Sequence, residues 1–226
     1  GSFTDDASTA GVQGDVSATI AAAWADYDND GDFDLYVGNN SSNSDELFRN
    51  DGDGTFTNAT SAAGVTNTND VISLAWADYD NDGTMDLFAN GTGVADRLWH
   101  NNGDGTFIDL SRETGTCDTD WGWAAKFADF DNDGWEDLFA VNGLRSAEKP
   151  NYIPVLLEMI ITPNVDFSDV NSYPDIGNMT WSGYQKQRMF HNLADGTFKE
   201  VGAEALVDTD LDGRGLGIAD FDNDGL

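Results

Sequence analysis

Four times along the chain an alternating apolar stretch runs into an acidic turn. The alternating positions are Ala22, Trp24 and Asp26; Leu74, Trp76 and Asp78; Ala125, Phe127 and Asp129; and Leu216, Ile218 and Asp220. A period of two predicts a strand with distinct faces. Beyond three of these turns comes a short apolar run, at 35–37, 87–89 and 138–141. A third signature keeps the same spacing: Leu47-Phe48-Arg49-Asn50, Leu98-Trp99-His100-Asn101 and Met189-Phe190-His191-Asn192. A fourth follows it, Asp-Gly-Thr-Phe at 53–56, 104–107 and 195–198. Each repeat therefore predicts four short strands. Asn50-Asp-Gly-Asp-Gly54 and Asn101-Asn-Gly-Asp-Gly105 supply hairpin-turn chemistry between the last two, which accounts for these residues without a metal role.

Four-stranded units of about 40–50 residues are the pattern of β-propeller blades. The expected fold is all-β, a partial β-propeller with acidic loops between the first and second strands of each blade. The repeats fall around 18–60, 71–111, 121–202 and 214–226, the last truncated. Gly1-Ser2-Phe3-Thr4 matches 54–57, so the chain is expected to begin within a repeat of a larger propeller. The first positions of the acidic turns are separated by 52, 51 and 91 residues. The long gap holds an insertion, 144–184, with every proline of the chain: Pro150, Pro154, Pro163 and Pro174. Residues 155–161 are expected to form a helical turn or two. The rest, with Tyr152, Phe167, Tyr173, Trp181 and Tyr184, is expected to lie over one propeller face.

The turns carry the chemistry. Asp26-Tyr-Asp-Asn-Asp-Gly-Asp-Phe-Asp34 reads D-x-D-x-D-G-x-x-D, and Asp78 to Asp86 and Asp129 to Asp137 repeat it. Asp26, Asp28, Asp30 and Asp34 place four hard carboxylates in nine residues; Asp78, Asp80, Asp82 and Asp86, then Asp129, Asp131, Asp133 and Asp137, do the same. The seventh positions, Asp32, Thr84 and Trp135, are expected to turn a carbonyl inward. Glycine at the sixth position permits the sharp turn, and asparagine at the fourth tolerates the left-handed region. The result is an all-oxygen shell of the kind Ca²⁺ takes, about six to eight ligands. Three complete sites are expected. Asp220, Asp222 and Asp224 begin a fourth that lacks its ninth position and is expected to bind weakly or not at all. These are not EF-hands: Val37, Ala89 and Ala140 stand where position twelve requires Glu, and a strand pattern follows. Glycine-rich nonapeptide repeats are absent, as are the many cysteines of thrombospondin-like calcium repeats.

Charge narrows the partners. There are 42 acidic residues against 10 basic ones in a chain of 226, a formal charge of −32, and sixteen aspartates sit in the four loops. Such a balance argues against nucleic acid and against anionic membranes. The longest apolar run, 152–161, contains Pro154 and Glu158 and falls short of a membrane span. One cysteine, Cys117, permits no internal disulfide, which fits a reduced compartment or a secreted protein stapled by ions.

The D-[YF]-D-N-D-G-x-x-D-L-[FY] loops, led in by W-A-D or F-A-D, resemble FG-GAP/VCBS repeats, the calcium-binding blades of integrin-α-like propellers. A narrower resemblance rests on Tyr184-Gln-Lys-Gln-Arg-Met-Phe-His-Asn192, 195–198 and 213–220 after a long insertion. That order is similar to the cartilage-acidic-protein-like group, secreted proteins that often carry an ASPIC/UnbV segment, which this sequence does not contain. The resemblance implies a secreted or surface calcium-binding module that serves adhesion to a protein or glycan.

The alternative is a propeller domain of a secreted hydrolase or lyase. Catalytic residues should break a repeat, because chemistry needs one site. His100 and His191 instead share one repeat position, where the first repeat has Arg49. Carboxylates at one fixed spacing in every copy suit a metal better than paired acid–base work, whose carboxylates come from separate strands. Lys126 does break the pattern, standing with Ala23, Ala75 and Gly217, and is expected to pair with an acid. No catalytic residue is assigned.

Overall fold

The computed structural model describes residues 4–13, 19–39, 44–91, 95–147, 149–162, 165–166, 168–181 and 183–219. The three complete repeats each fold into a four-stranded antiparallel sheet in sequence order. The first contains β1 (Thr19–Ala25), β2 (Asp34–Asn39), β3 (Glu46–Asn50) and β4 (Phe56–Asn58). The second contains β5 (Val71–Ala77), β6 (Asp86–Gly91), β7 (Arg97–Asn101) and β8 (Phe107–Asp109). The third opens with β9 (Gly122–Ala128) and β10 (Asp137–Asn142). The insertion follows, with β11 (Lys149–Asn151) and β12 (Met179–Thr180), and the sheet resumes with β13 (Arg188–Asn192) and β14 (Phe198–Glu200). Register is conserved: Trp24 lies opposite Leu35, Trp76 opposite Leu87 and Phe127 opposite Leu138.

The core lies between successive sheets. Tyr36 and Leu47 of the first pack with Leu87, Trp99 and Phe107 of the second, and with the half-buried Leu74 and Trp76. Phe88 and Leu98 of the second pack with Ala125, Leu138, Phe190 and Phe198 of the third, and with Phe127. The first strand of the second sheet uses both faces: Trp76 meets Tyr36 behind it at 6.4 Å between ring centroids, while Ala75 joins the cluster ahead. The sheets approach so closely that a Cβ on Gly38 would stand 2.6 Å from Val71. At the outer sides the pattern stops. Trp24 is 56% exposed where Trp76 and Phe127 are covered by a preceding sheet.

One expectation needs correction and two are refined. The described residues are mostly β. Single helical turns, α1 (Ala7–Ala10), α2 (Thr60–Ala63) and α3 (Ser111–Thr114), each end on a left-handed glycine, Gly11, Gly64 or Gly115, whose N–H closes the turn. In the insertion the helix α4 (Ile153–Ile161) has nine residues, longer than expected, with Pro154 in its first turn where its missing N–H costs nothing. The stretch leading to the fourth loop is not a strand: no described residue from 201 to 219 pairs in a ladder. Alternation needs a partner to become a strand, and residues 214–219 have none among the described residues. Instead Gly213 N–H donates to the Asn142 carbonyl at 2.8 Å, and Arg214 lies 5.1 Å over the Trp123 ring.

The insertion leaves the third sheet through a closed neck. Arg145 and Trp181 exchange both backbone hydrogen bonds at 2.9 Å, and β11 pairs in parallel with β12. Tyr152 is buried against Trp181. Phe167 lies outside the described residues. No helix of the described residues is long and apolar enough to cross a membrane.

Candidate metal centres

Each acidic loop joins the first strand of its sheet to the second, and the three are built alike. Asn29, Asn81 and Asn132 hold φ of 57°, 55° and 59°, and Gly31, Gly83 and Gly134 hold 98°, 92° and 92°. These left-handed residues curl the backbone so that N–H groups point at the first carboxylate. Asp26 accepts from the N–H of Asp30 and Gly31 at 3.1 and 3.0 Å. Asp78 accepts from Asp82 and Gly83, both at 2.9 Å, and Asp129 from Asp133 and Gly134 at 3.0 and 2.8 Å. The fifth-position carboxylates of Asp30, Asp82 and Asp133 accept the N–H of Asp32, Thr84 and Trp135 at 2.9, 2.8 and 2.9 Å.

The ninth position is the anchor. Asp34, Asp86 and Asp137 are buried, and each bridges its own loop to the third strand. Asp34 accepts from Tyr27 N–H and Asn50 N–H, Asp86 from Tyr79 N–H and Asn101 N–H, and Asp137 from Phe130 N–H and Asn192 N–H. The third position is the opposite case. The Oδ1 atoms of Asp28 and Asp80 are buried with no hydrogen-bond partner among the described residues.

Burial opposes ionisation here. Desolvation, with neighbouring carboxylates adding to it, pushes Asp34 up to about 6 and Asp86 up to about 8. The same cause raises Asp28, Asp80 and Asp137. A cation among these carboxylates would favour their ionised forms.

The structure gathers the expected ligands in threes. The carboxylates of Asp26, Asp28 and Asp34 lie within 4.8 Å of one another, as do those of Asp78, Asp80 and Asp82, and of Asp129, Asp131 and Asp133. In the second and third loops the ninth-position carboxylate falls into a different group: Asp80, Asp86 and His100, and Asp131, Asp137 and His191. Both histidines stand on the third strand. Sequence reading noted their shared repeat position but not that this position faces the loop. Arg49, their counterpart, turns to Asp51 at 2.8 Å instead. Lys126 is exposed and in no ion pair among the described residues. Asp220, Asp222 and Asp224 lie outside the described residues.

The hard oxygen donors, with the two orphaned carboxylate oxygens, fit a calcium ion. Asp26, Asp28, Asp30 and Asp34 and their counterparts would hold it, and its charge would offset the desolvated carboxylates.

The third-strand asparagines tie the loops to neighbouring sheets. Asn101 Nδ2 donates to the Tyr27 carbonyl at 2.7 Å, across to the first loop, and Asn192 Nδ2 donates to the Tyr79 carbonyl at 2.7 Å. The rings of Tyr27 and Tyr79 in turn pack on Phe107 and Phe198 of the following sheet. Phe130, their counterpart, is 39% exposed.

Comparison with known proteins agrees with this geometry. The sequence model of the FG-GAP-like repeat matches residues 26–89 and 86–140, the first two complete loops and the third with their second strands. The chain is also 26% identical over 168 residues to cartilage acidic protein 1 of Xenopus tropicalis, a match covering 65% of this chain and 26% of that protein. The matched region is thus about a quarter of that relative's length. From the thrice-repeated acidic loop, the four-stranded sheet built behind each copy and the match spanning them, the chain belongs to the FG-GAP-like repeat family.

Proposed function

We propose that the three sheets are consecutive blades of a larger β-propeller and that each complete loop binds one calcium ion. In this reading the ligands are the carboxylates at positions one, three, five and nine and the carbonyls of Asp32, Thr84 and Trp135. The observation that carries it is the buried, unpartnered Oδ1 of Asp28 and of Asp80. A buried acceptor left without a donor costs about 1–3 kcal/mol, more when charged, and a cation among the carboxylates relieves that cost.

The propeller reading is supported by the two open faces. Trp24 on one side and Phe130 on the other occupy positions that are packed wherever a neighbouring sheet is present. The module then acts as a non-enzymatic scaffold of a secreted or cell-surface protein, presenting a face to a protein or glycan. Histidines repeated at one position favour a structural role over catalysis. The insertion at 144–184 is the candidate recognition element, because binding concentrates on loops carried by a rigid frame.

Calorimetric titration of the chelator-stripped chain tests the calcium reading: about three sites are expected, and the absence of calcium heat overturns it. Deleting 144–184 from the full-length protein and probing a glycan array and a cell surface tests the recognition element. Binding that survives the deletion removes the insertion from the interface.

A further inference from the structure

We propose that the second and third repeats each carry a mixed nitrogen–oxygen site for a borderline divalent transition ion of the zinc class. The sites are Asp80, Asp86 and His100, and Asp131, Asp137 and His191. They go beyond the calcium reading, since calcium selects oxygen donors and an imidazole selects softer ions.

Each histidine places Nδ1 between two carboxylates, and in the third repeat His191 Nδ1 also hydrogen-bonds Asp137 Oδ1 at 3.1 Å. His100 Nδ1 stands 3.3 Å from Asp80 Oδ2 and 3.2 Å from Asp86 Oδ1. Donors about 2.0–2.1 Å from a tetrahedral ion stand about 3.3 Å from one another. In the third repeat His191 Nδ1 stands 3.5 Å from Asp131 Oδ2 and 3.1 Å from Asp137 Oδ1. A second observation points to a ligand: His100 Nδ1 is buried and has no aligned hydrogen bond despite the two nearby oxygens, and Asp80 Oδ1 beside it is likewise orphaned.

The frame is pre-set. Asp86 is completely buried and fixed by two backbone N–H donors, one from its own loop and one from the third strand that carries His100. The ring of His100 stands edge-on to Tyr79 at 6.2 Å. The first repeat carries Arg49 at this position; it pairs with Asp51 at 2.8 Å while its charge still acts on Asp28, and it offers no imidazole donor. Three protein donors leave a coordination place for water. Asp80 and Asp86, like Asp131 and Asp137, are also ligands in the calcium reading, so the two kinds of ion compete for two shared carboxylates in each of these repeats.

The test is a cobalt(II) titration of the chelator-stripped full chain, read by visible ligand-field bands, with calcium followed separately by calorimetry. Two cobalt equivalents with low-coordinate bands are expected. His100→Asn and His191→Asn should each halve the intensity, and the double variant should abolish it while calcium stoichiometry persists. X-ray absorption at the zinc edge of the wild-type chain reads imidazole nitrogen directly, so the outcome does not depend on the variants folding. Bands that survive in the double variant, or a zinc shell without nitrogen, overturn the proposal. Cobalt binding without calcium binding overturns the calcium reading alone.

Discussion

Asn81 Nδ2 donates a hydrogen bond to the carbonyl of Gly134, 3.0 Å away in the next acidic loop. Asn29 makes the same bond to Gly83, at 3.2 Å. The fourth position of one loop thus holds the sixth position of its neighbour, at the glycine whose left-handed turn shapes that loop. Asn101 and Asn192 reach back to the second position of the preceding loop. The three loops form one hydrogen-bonded row across three sheets.

This row couples the loops. Asn81→Ala removes no expected ligand but releases Gly134. One hydrogen bond of about 0.5–1.5 kcal/mol corresponds to a roughly two- to tenfold weaker calcium affinity at the neighbouring loop. Titration calorimetry should show that loss at one site in Asn81→Ala. Identical isotherms for variant and wild type would mean that the loops act independently.

Calcium removal should lower the melting temperature by many degrees, and added calcium should restore it. A ligand that binds only the folded state stabilises by about 2.7 kcal/mol per site at a hundredfold excess over Kd. Three such sites compare with the roughly 5–15 kcal/mol of a whole domain. Asp80→Asn should lose less than Asp82→Ala, which deletes an expected ligand beside Gly83. A calorimetric melt unchanged by a strong chelator would reduce the ions to surface decoration.

Two carboxyls outside the loops set a pH dependence. Asp45 accepts from Asn39 N–H, Asn67 Nδ2 and the Tyr36 hydroxyl, and Asp96 accepts from the N–H of Gly91 and Thr119. Burial nevertheless raises each to about 6. Between about pH 4 and 6 the folded chain therefore keeps protons that the unfolded chain releases, and stability falls as pH rises through this window, by about 1–3 kcal/mol per group. Gln187 occupies the same slot in the third repeat without an ionisable group and accepts Asn142 N–H at 2.6 Å. Urea unfolding in excess calcium should show the slope in the wild type and a flatter curve in an Asp45→Asn/Asp96→Asn variant. An equal slope in both would place its origin elsewhere.

The aromatic residues between sheets should be unequal. Tyr79 is buried against Phe198, so Tyr79→Ala should cost about 3 kcal/mol or more. Trp24 touches Phe56 but has no preceding sheet among the described residues, and Trp24→Ala should cost about 1 kcal/mol or less in this chain. In a longer protein with a blade against that face, Trp24→Ala should become as costly as Tyr79→Ala. Equal, small losses for both in denaturant unfolding would contradict sheet-to-sheet packing as the source of stability.

The sequence by itself determined what is local. Four strands per repeat follow from alternation and turn residues, and the carboxylates of a loop lie within nine residues, so their convergence needs only the left-handed Asn29 and Gly31 and their counterparts. The single turns after the fourth strands were also legible in principle, through Gly64 and Gly115, but four residues of helix leave too little periodicity to register. Tertiary structure decided the rest. The residues 216 and 218 alternate as well as 74 and 76, yet without a pairing partner among the described residues they form no strand. His100 reaches Asp86 because the second and third strands pair Leu87 with Trp99, and His191 reaches Asp137 although 54 residues separate them. Asn29 meets Gly83 only because two sheets stack face to face. Such contacts have no signature along the chain, since they are set by register and by packing between sheets, which a period in one strand does not encode.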